Sequence, residues 1–380
     1  MQPVGEGFTP SSVHTTTISL GTCYALFVYD VGAGIDLNEA DKRILFTKER
    51  GRIRRTRSAP YYFDYHPPPL RIIQDIEQLT ITSRSLVPTA ELVLYDFGAV
   101  SVIFRLPLQG PITELLPLSE VLYENASLLH YSRRLVETLL RTIEGAVEKA
   151  CVSSFVEDYT IFHIEEFLPA LKVNDLLYEH GQEIAQSLRC EHERLSEQEV
   201  RDALSQHISF GPDDLTIVDW NAALVVGSEM EDVLAVLEFA NVELLERRLL
   251  DDQLDTALDE AYDTLSKQPI EFFRWPGSIQ AELRRMAQLQ VDSAILFERV
   301  TNTLKLLGDQ YLARLYRLTS QRFHLHAWDT AISRKLHTLD SLATKLAEHT
   351  TNRRLEILEW IIILLIALSL LLPWLPGWPQ

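Results

Sequence analysis

The sequence predicts an α+β protein: β-hairpin and helix units forming a sheet packed on long helices, then an antiparallel helical hairpin and one C-terminal transmembrane helix. Three observations predict it. Residues 15–29 and 92–105 are rich in β-branched and aromatic types, the composition of buried strands. Residues 278–355 carry apolar positions at three- and four-residue steps, the helical period. No charged residue follows Glu359. The chain then divides into an α/β body (1–270), a helical stalk (271–356) and an anchor (357–380).

In the body, TTTISLGTCYALFVY (15–29) reads as one long strand. IDLNEADKRILF (35–46) reads as a helix with Asp36 as N-cap and Glu39 three residues on, a capping box. LVLYDFGAVSVIFR (92–105) is a hairpin turning around Asp96 to Gly98, followed by a helix from Pro117 through Val147. Strands are expected at 159–165 and 214–226, then a long helix from Glu229 to Ser266. The segments Asp96-Phe97-Gly98-Ala99-Val100 and Asp219-Trp220-Asn221-Ala222-Ala223 share a turn pattern, with Gly and Asn where positive φ is tolerated. That likeness predicts an internal duplication, 13–150 and 159–270.

The stalk shows Phe297, Leu304, Tyr311 and Leu318 seven residues apart, with Val300 and Leu307 in the other seam position, the repeat of a supercoiled seam. Trp328, Ile332, Leu336, Leu339, Leu342 and Leu346 form a second stripe, and Gln321–His326 is short enough for a helical turn. One chain supplies both partners, so an intramolecular hairpin is expected, with homo-oligomerisation through 278–355 as a companion expectation. In the anchor, ten of the twelve residues from Ile361 to Leu372 are Ile or Leu. Trp360 stands at one end of the run and Trp374 and Trp378 at the other, where indoles meet the lipid–water boundary. Arg353 and Arg354 precede the run and nothing basic follows it. The expectation is a single-pass, tail-anchored membrane protein with its N-terminal bulk in the cytoplasm. The membrane would be the inner membrane in a bacterium, or the mitochondrial inner membrane facing the matrix in a eukaryote. The start, MQPVGEGFTPSS, has neither a basic nor an apolar leader region.

The chain is acidic, 54 Asp and Glu against 35 Lys and Arg for a net −19, which argues against DNA as a partner. Cys23, Cys151 and Cys190 lie far apart with no CxxC, so neither a disulfide framework nor a structural zinc is expected. One stretch runs the other way. Between Asp41 and Arg57 eight basic residues meet two acidic ones. Lys48, Arg50, Arg52, Arg54, Arg55 and Arg57 are therefore candidate contacts for anionic lipid or RNA, against the alternative of a solvated loop neutralised by the protein's own acids. No phosphate loop, HExxH, GxSxG or kinase signature is present, so no catalytic, cofactor or metal residue is assigned. Twelve acids between Glu229 and Asp263 are interleaved with apolar residues at helical spacing. They read as a solvated helix face, the alternative being a metal-dependent hydrolase using body carboxylates.

The opening TCYALFVYDVGAGIDLNEADKRI, the segment LVLYDFGAVSVIF and the ending RRLEILEWIIILLIAL together resemble the RMND/YagE-type family, membrane proteins built around a domain of unknown function. The resemblance implies membrane anchorage, support of organellar translation in eukaryotic members, and no established catalytic residues. The expected role is a membrane-tethered, non-enzymatic scaffold that recruits a protein or ribonucleoprotein partner.

Overall fold

A computed structural model of the chain describes residues 16–48, 53–57, 67–81, 84–228, 231–266, 281, 283–291, 293–295 and 310–371. It divides into two compact units: residues 1–246 with 300–326, and residues 247–299 with 327–380.

The first unit is built on a ten-stranded mixed sheet. Its strands are β1 (Thr17–Asp30), β3 (Ile53–Arg57), β4 (Leu70–Asp75), β7 (Thr89–Leu94), β8 (Ala99–Pro107), β9 (Gly110–Pro111), β11 (Val156–Leu168), β12 (His207–Ile208), β13 (Leu215–Val218) and β14 (Ala222–Val226). Two-residue strands, β2 (Gly34–Ile35) with β10 (Val147–Glu148) and β5 (Thr80–Ile81) with β6 (Arg84–Ser85), form separate ladders. The order is β12-β13-β14-β11-β1-β8-β7-β4-β3, with β9 pairing β1. β1 lies between two antiparallel neighbours, β11 and β8. Its apolar run from Cys23 to Tyr29 follows from that position, because the part of a central strand covered on both faces has no solvent side to alternate towards.

Alternate residues send one set to each face. Cys23, Ala25, Phe27 and Tyr29 of β1 join Phe104, Leu92, Phe162 and Leu224 in the larger core. The helices α1 (Leu37–Lys48), α2 (Leu115–Leu122), α3 (Ala126–Thr142) and α4 (Val173–Arg189) contribute to it, and α5 (Glu197–Ala203) packs on α4. The opposite set includes Tyr24, Leu26, Arg105, Ile103, Glu91, Arg71 and Ile161. That face receives the N-terminal part of α6 (Glu231–Ser266), which reaches it through Phe239 on Tyr95, and α7 (Gln310–Arg322), followed by Phe323 on Tyr159.

Both expected hairpins form. They enter the sheet differently: β8 is antiparallel to β1, whereas β14 is parallel to β11. The long helix expected from Pro117 to Val147 is two. Glu124 turns into positive φ, and Asn125 restarts the chain as an N-cap, its side chain accepting from Leu128 N at 2.9 Å. Helix α1 starts at the anticipated N-cap, with Glu39 N donating to Asp36 Oδ1 at 3.0 Å, but the other half of the capping box does not form: Asp36 N donates to the Ala146 carbonyl and Glu39 Oε1 accepts from Arg43.

The second unit is helical. Leu250, Leu254, Ala257 and Ala261 of α6 pack with Met286 and Leu289 and with Ile332, Leu339 and Leu342 of α8 (Leu325–Leu371). Arg247, almost fully enclosed, donates to Asp329 at 2.8 Å, and Lys335 bridges Asp251 and Asp255 at 2.7 Å each. The seam positions Phe297, Val300, Leu304 and Leu307 lie outside the described residues.

The expected transmembrane helix is corrected, and with it the single-pass membrane location and its orientation. No helix among the described residues is long and apolar enough to cross a membrane. The described part of α8 ends at Leu371. The last eighteen described residues of that helix, 354–371, still include Arg354, Glu356 and Glu359, charges that a helix in hydrocarbon would have to bury.

Candidate functional site

Between the sheet face that carries Arg71 and the first turns of α6 lies a cavity of about 140 Å³. Its floor comes from four adjacent strands and β11: Arg71 from β4, Glu91 from β7, Ile103 and Arg105 from β8, Tyr24 and Leu26 from β1, and Ile161 from β11. Glu231, Leu234, Ala235 and Glu238 of α6 form its roof. Register sets the floor, since Tyr24 faces Arg105, Leu26 faces Ile103, and Ile103 faces Glu91 across the ladders.

A chain of ion pairs crosses the cavity wall. Arg105 donates to Glu91 Oε2 at 2.7 Å; Arg71 donates to Glu91 Oε1 at 3.0 Å and to Glu238 Oε2 at 2.8 Å. The Tyr95 hydroxyl donates to Glu238 Oε1 at 3.2 Å. Burial pushes the Glu238 carboxyl above the usual range, with the Arg71 guanidinium opposing it. Burial works against the charge of Arg71, but Glu238 and Glu91 outweigh it and hold the guanidinium above its ordinary value. Burial likewise raises the Tyr24 phenol, with Arg105 pulling the other way.

Every carboxylate oxygen of Glu91 and Glu238 has a donor, whereas some of the donors here have no acceptor. Each oxygen of Glu91 and Glu238 accepts from an arginine or a phenol. Arg71 Nε is buried without a partner. Among the described residues the Tyr24 hydroxyl has no partner, and Arg105 is bound only through its contact to Glu91. Next to Tyr24, His163 stacks at 6.3 Å and holds the Gly227 carbonyl at 2.8 Å through Nε2.

A second buried cluster centres on Asp219, which is fully enclosed. Its carboxylate accepts from Arg189 Nε at 3.1 Å, from Arg322 Nε at 2.8 Å and from Trp220 N at 2.7 Å. Both arginines also hold Asp202. With its charge committed to two guanidiniums, Asp219 fastens α4, α5 and α7 to the sheet.

The site residues expected from sequence lie elsewhere. Lys48 ends α1, and Arg54, Arg55 and Arg57 lie on β3, the edge strand, paired to β4. Arg50 and Arg52 lie outside the described residues, as do Trp374 and Trp378. Arg353 and Arg354 fall within α8, and Trp360 on the same helix is exposed. Two of the acids assigned to a solvated face of α6, Glu238 and Glu243, are instead buried, Glu243 accepting a hydrogen bond from Tyr316. Their signal lay in the run Val233–Leu245, where apolar residues occur on all sides of the helix, the pattern of a helix buried all round.

The fold and this cavity define a mixed α/β domain with an arginine- and glutamate-lined pocket on one sheet face. The chain belongs to the family described as "Uncharacterized protein MJ0711, N-terminal domain", whose model matches residues 20–232. It is similar to the uncharacterized protein MJ0711 of Methanocaldococcus jannaschii, 23% identical over 241 residues, covering 63% of this chain and 72% of that protein. No solved structure matches. Membership corrects the RMND/YagE-type resemblance. Two of the segments that carried it are the central strand with α1 and the β7–β8 hairpin, whose apolar composition burial on a sheet dictates in any family.

Proposed function

We propose that this chain is a non-enzymatic binding and interaction protein whose body receives a small molecule in the cavity between the sheet and α6. The observation that carries the reading is the commitment of the cavity's carboxylates: Glu91 is held by two guanidiniums and Glu238 by a guanidinium and a phenol. A hydrolytic centre needs a carboxylate free to take a proton or to ligate a cation. With their oxygens already engaged by guanidiniums and a phenol, these acids are poorly placed for either role. Unspent donors beside the aliphatic side chains of Leu26, Ile103, Ile161 and Leu234 suit binding instead.

The competing metal-dependent hydrolase is tested by incubating the full chain with Mg²⁺, Mn²⁺ or Zn²⁺ and a panel of phosphate and carboxylate esters. No turnover above the buffer rate is expected. Turnover abolished by E91Q or E238Q would sink the binding reading.

A further inference from the structure

The cavity has a definite polarity that narrows what it can take. On the donor side stand the Tyr24 hydroxyl and the part of the Arg105 guanidinium that Glu91 leaves free. On the acceptor side, Glu91 and Glu238 are already taken. The groups without a partner on this wall are donors, and they match a ligand that brings acceptors.

Charge selects among acceptors. Glu231 and Glu238 line the roof, so a phosphate dianion would meet carboxylates as it approached the arginines. A planar monoanion has half that repulsion and matches the flat edge of a guanidinium. Size selects among monoanions. A cavity of about 140 Å³ is close to the roughly 150 Å³ engineered void that takes benzene, so the enclosed part of the ligand has about six heavy atoms. The remaining wall, Leu26, Ile103, Ile161, Leu234 and Ala235, is aliphatic and suits a hydrocarbon chain.

We propose that this cavity is a binding site for a small organic monocarboxylate, its carboxylate held by Arg105 and the Tyr24 hydroxyl and its carbon chain seated on Leu26, Ile103 and Leu234. The inference rests on the reading of the cavity as a binding rather than a reacting site, and it names the ligand class for that site.

Isothermal titration of the full chain with sodium isovalerate, 3-methylbutanol and inorganic phosphate tests it. Isovalerate is expected to give saturable binding, weakened at least about tenfold in R105Q and lost in A235L, where the added side chain fills the cavity. 3-Methylbutanol, with the same skeleton and no carboxylate, is expected to give none. R105Q keeps the Arg71–Glu91 pair and is read alone should A235L not fold, with circular dichroism reporting the fold of each. The proposal is overturned by absence of saturable binding up to about 10 mM, by equal binding of the alcohol, by tighter binding of phosphate, or by wild-type affinity in R105Q. Those results leave the binding reading standing, since only turnover in the ester panel removes it.

Discussion

Glu91 organises the cavity from the middle of a buried strand. A carboxylate between Ala90 and Leu92, both fully buried, is rarely kept unless paired, and Arg71 and Arg105 reach it from β4 and β8 on either side. Replacing Glu91 by Ala leaves both guanidiniums without that partner, and the expected cost is about 3–5 kcal/mol; a urea midpoint unchanged from wild type would contradict the pairing. Backbone carries a comparable constraint at Gly98, whose φ is +101° and where a Cβ would stand 1.9 Å from the Gly32 carbonyl oxygen. G98A cannot be accommodated by side-chain motion, because the obstacle is main chain. A loss of more than about 2 kcal/mol is expected, and a loss below about 0.5 kcal/mol would show that the 31–35 segment yields. At the end of β1, burial pushes Asp30 up to about 7 from 3.8, with the Gly32 N–H partly offsetting it. The folded state then holds more protons than the unfolded chain between about pH 4 and 7, so this residue's contribution lowers stability as pH rises through that window, by up to about 4 kcal/mol. D30N should flatten that fall in a pH series of thermal melts; identical pH profiles for variant and wild type would refute it.

Among the elements, α7 depends most on a single buried charge. Arg322 reaches Asp219 in the turn between β13 and β14, while Arg189 reaches the same carboxylate from the end of α4. D219A strands two arginines at once and should cost about 3–5 kcal/mol, seen as a lowered denaturation midpoint; a change under about 1 kcal/mol would mean that Asp202 alone holds them. The elements also separate what sequence makes legible from what it does not. Strand composition, the Asp36 cap and the two Asp-aromatic-Gly/Asn turns are local, and the structure follows them. The break at Tyr123–Asn125 was missed because apolar spacing continues across it, while the cap that interrupts it is a single asparagine. The cavity was not legible, because Arg71, Glu91 and Arg105 meet only through strand register and Glu238 joins them only through the seating of α6 on that face. The anchor was over-read: no helix among the described residues is long and apolar enough to cross a membrane.

For the whole molecule, net charge is the dominant physical fact. At −19 the compact state carries self-repulsion that salt relieves. Raising NaCl from about 0.05 M to about 0.5 M, which shortens the Debye length severalfold, should raise the melting temperature; a fall would mean that surface ion pairs outweigh the net field. The two units differ in kind. One is a sheet covered on both faces with a polar cavity on one side; the other is a small helical core fastened by Arg247–Asp329 and the Lys335 bridge. The family match runs from residue 20 to 232, so it includes the cavity floor and the first residues of α6.

A crystal of the wild-type chain grown in isovalerate tests the central claim most directly. Density for one molecule in the cavity, with its carboxylate within hydrogen-bonding distance of Arg105 and its methyl groups against Leu26 and Ile103, is the predicted result. A cavity filled only with water at saturating isovalerate would contradict it, as would a ligand bound with its carboxylate turned away from Arg105.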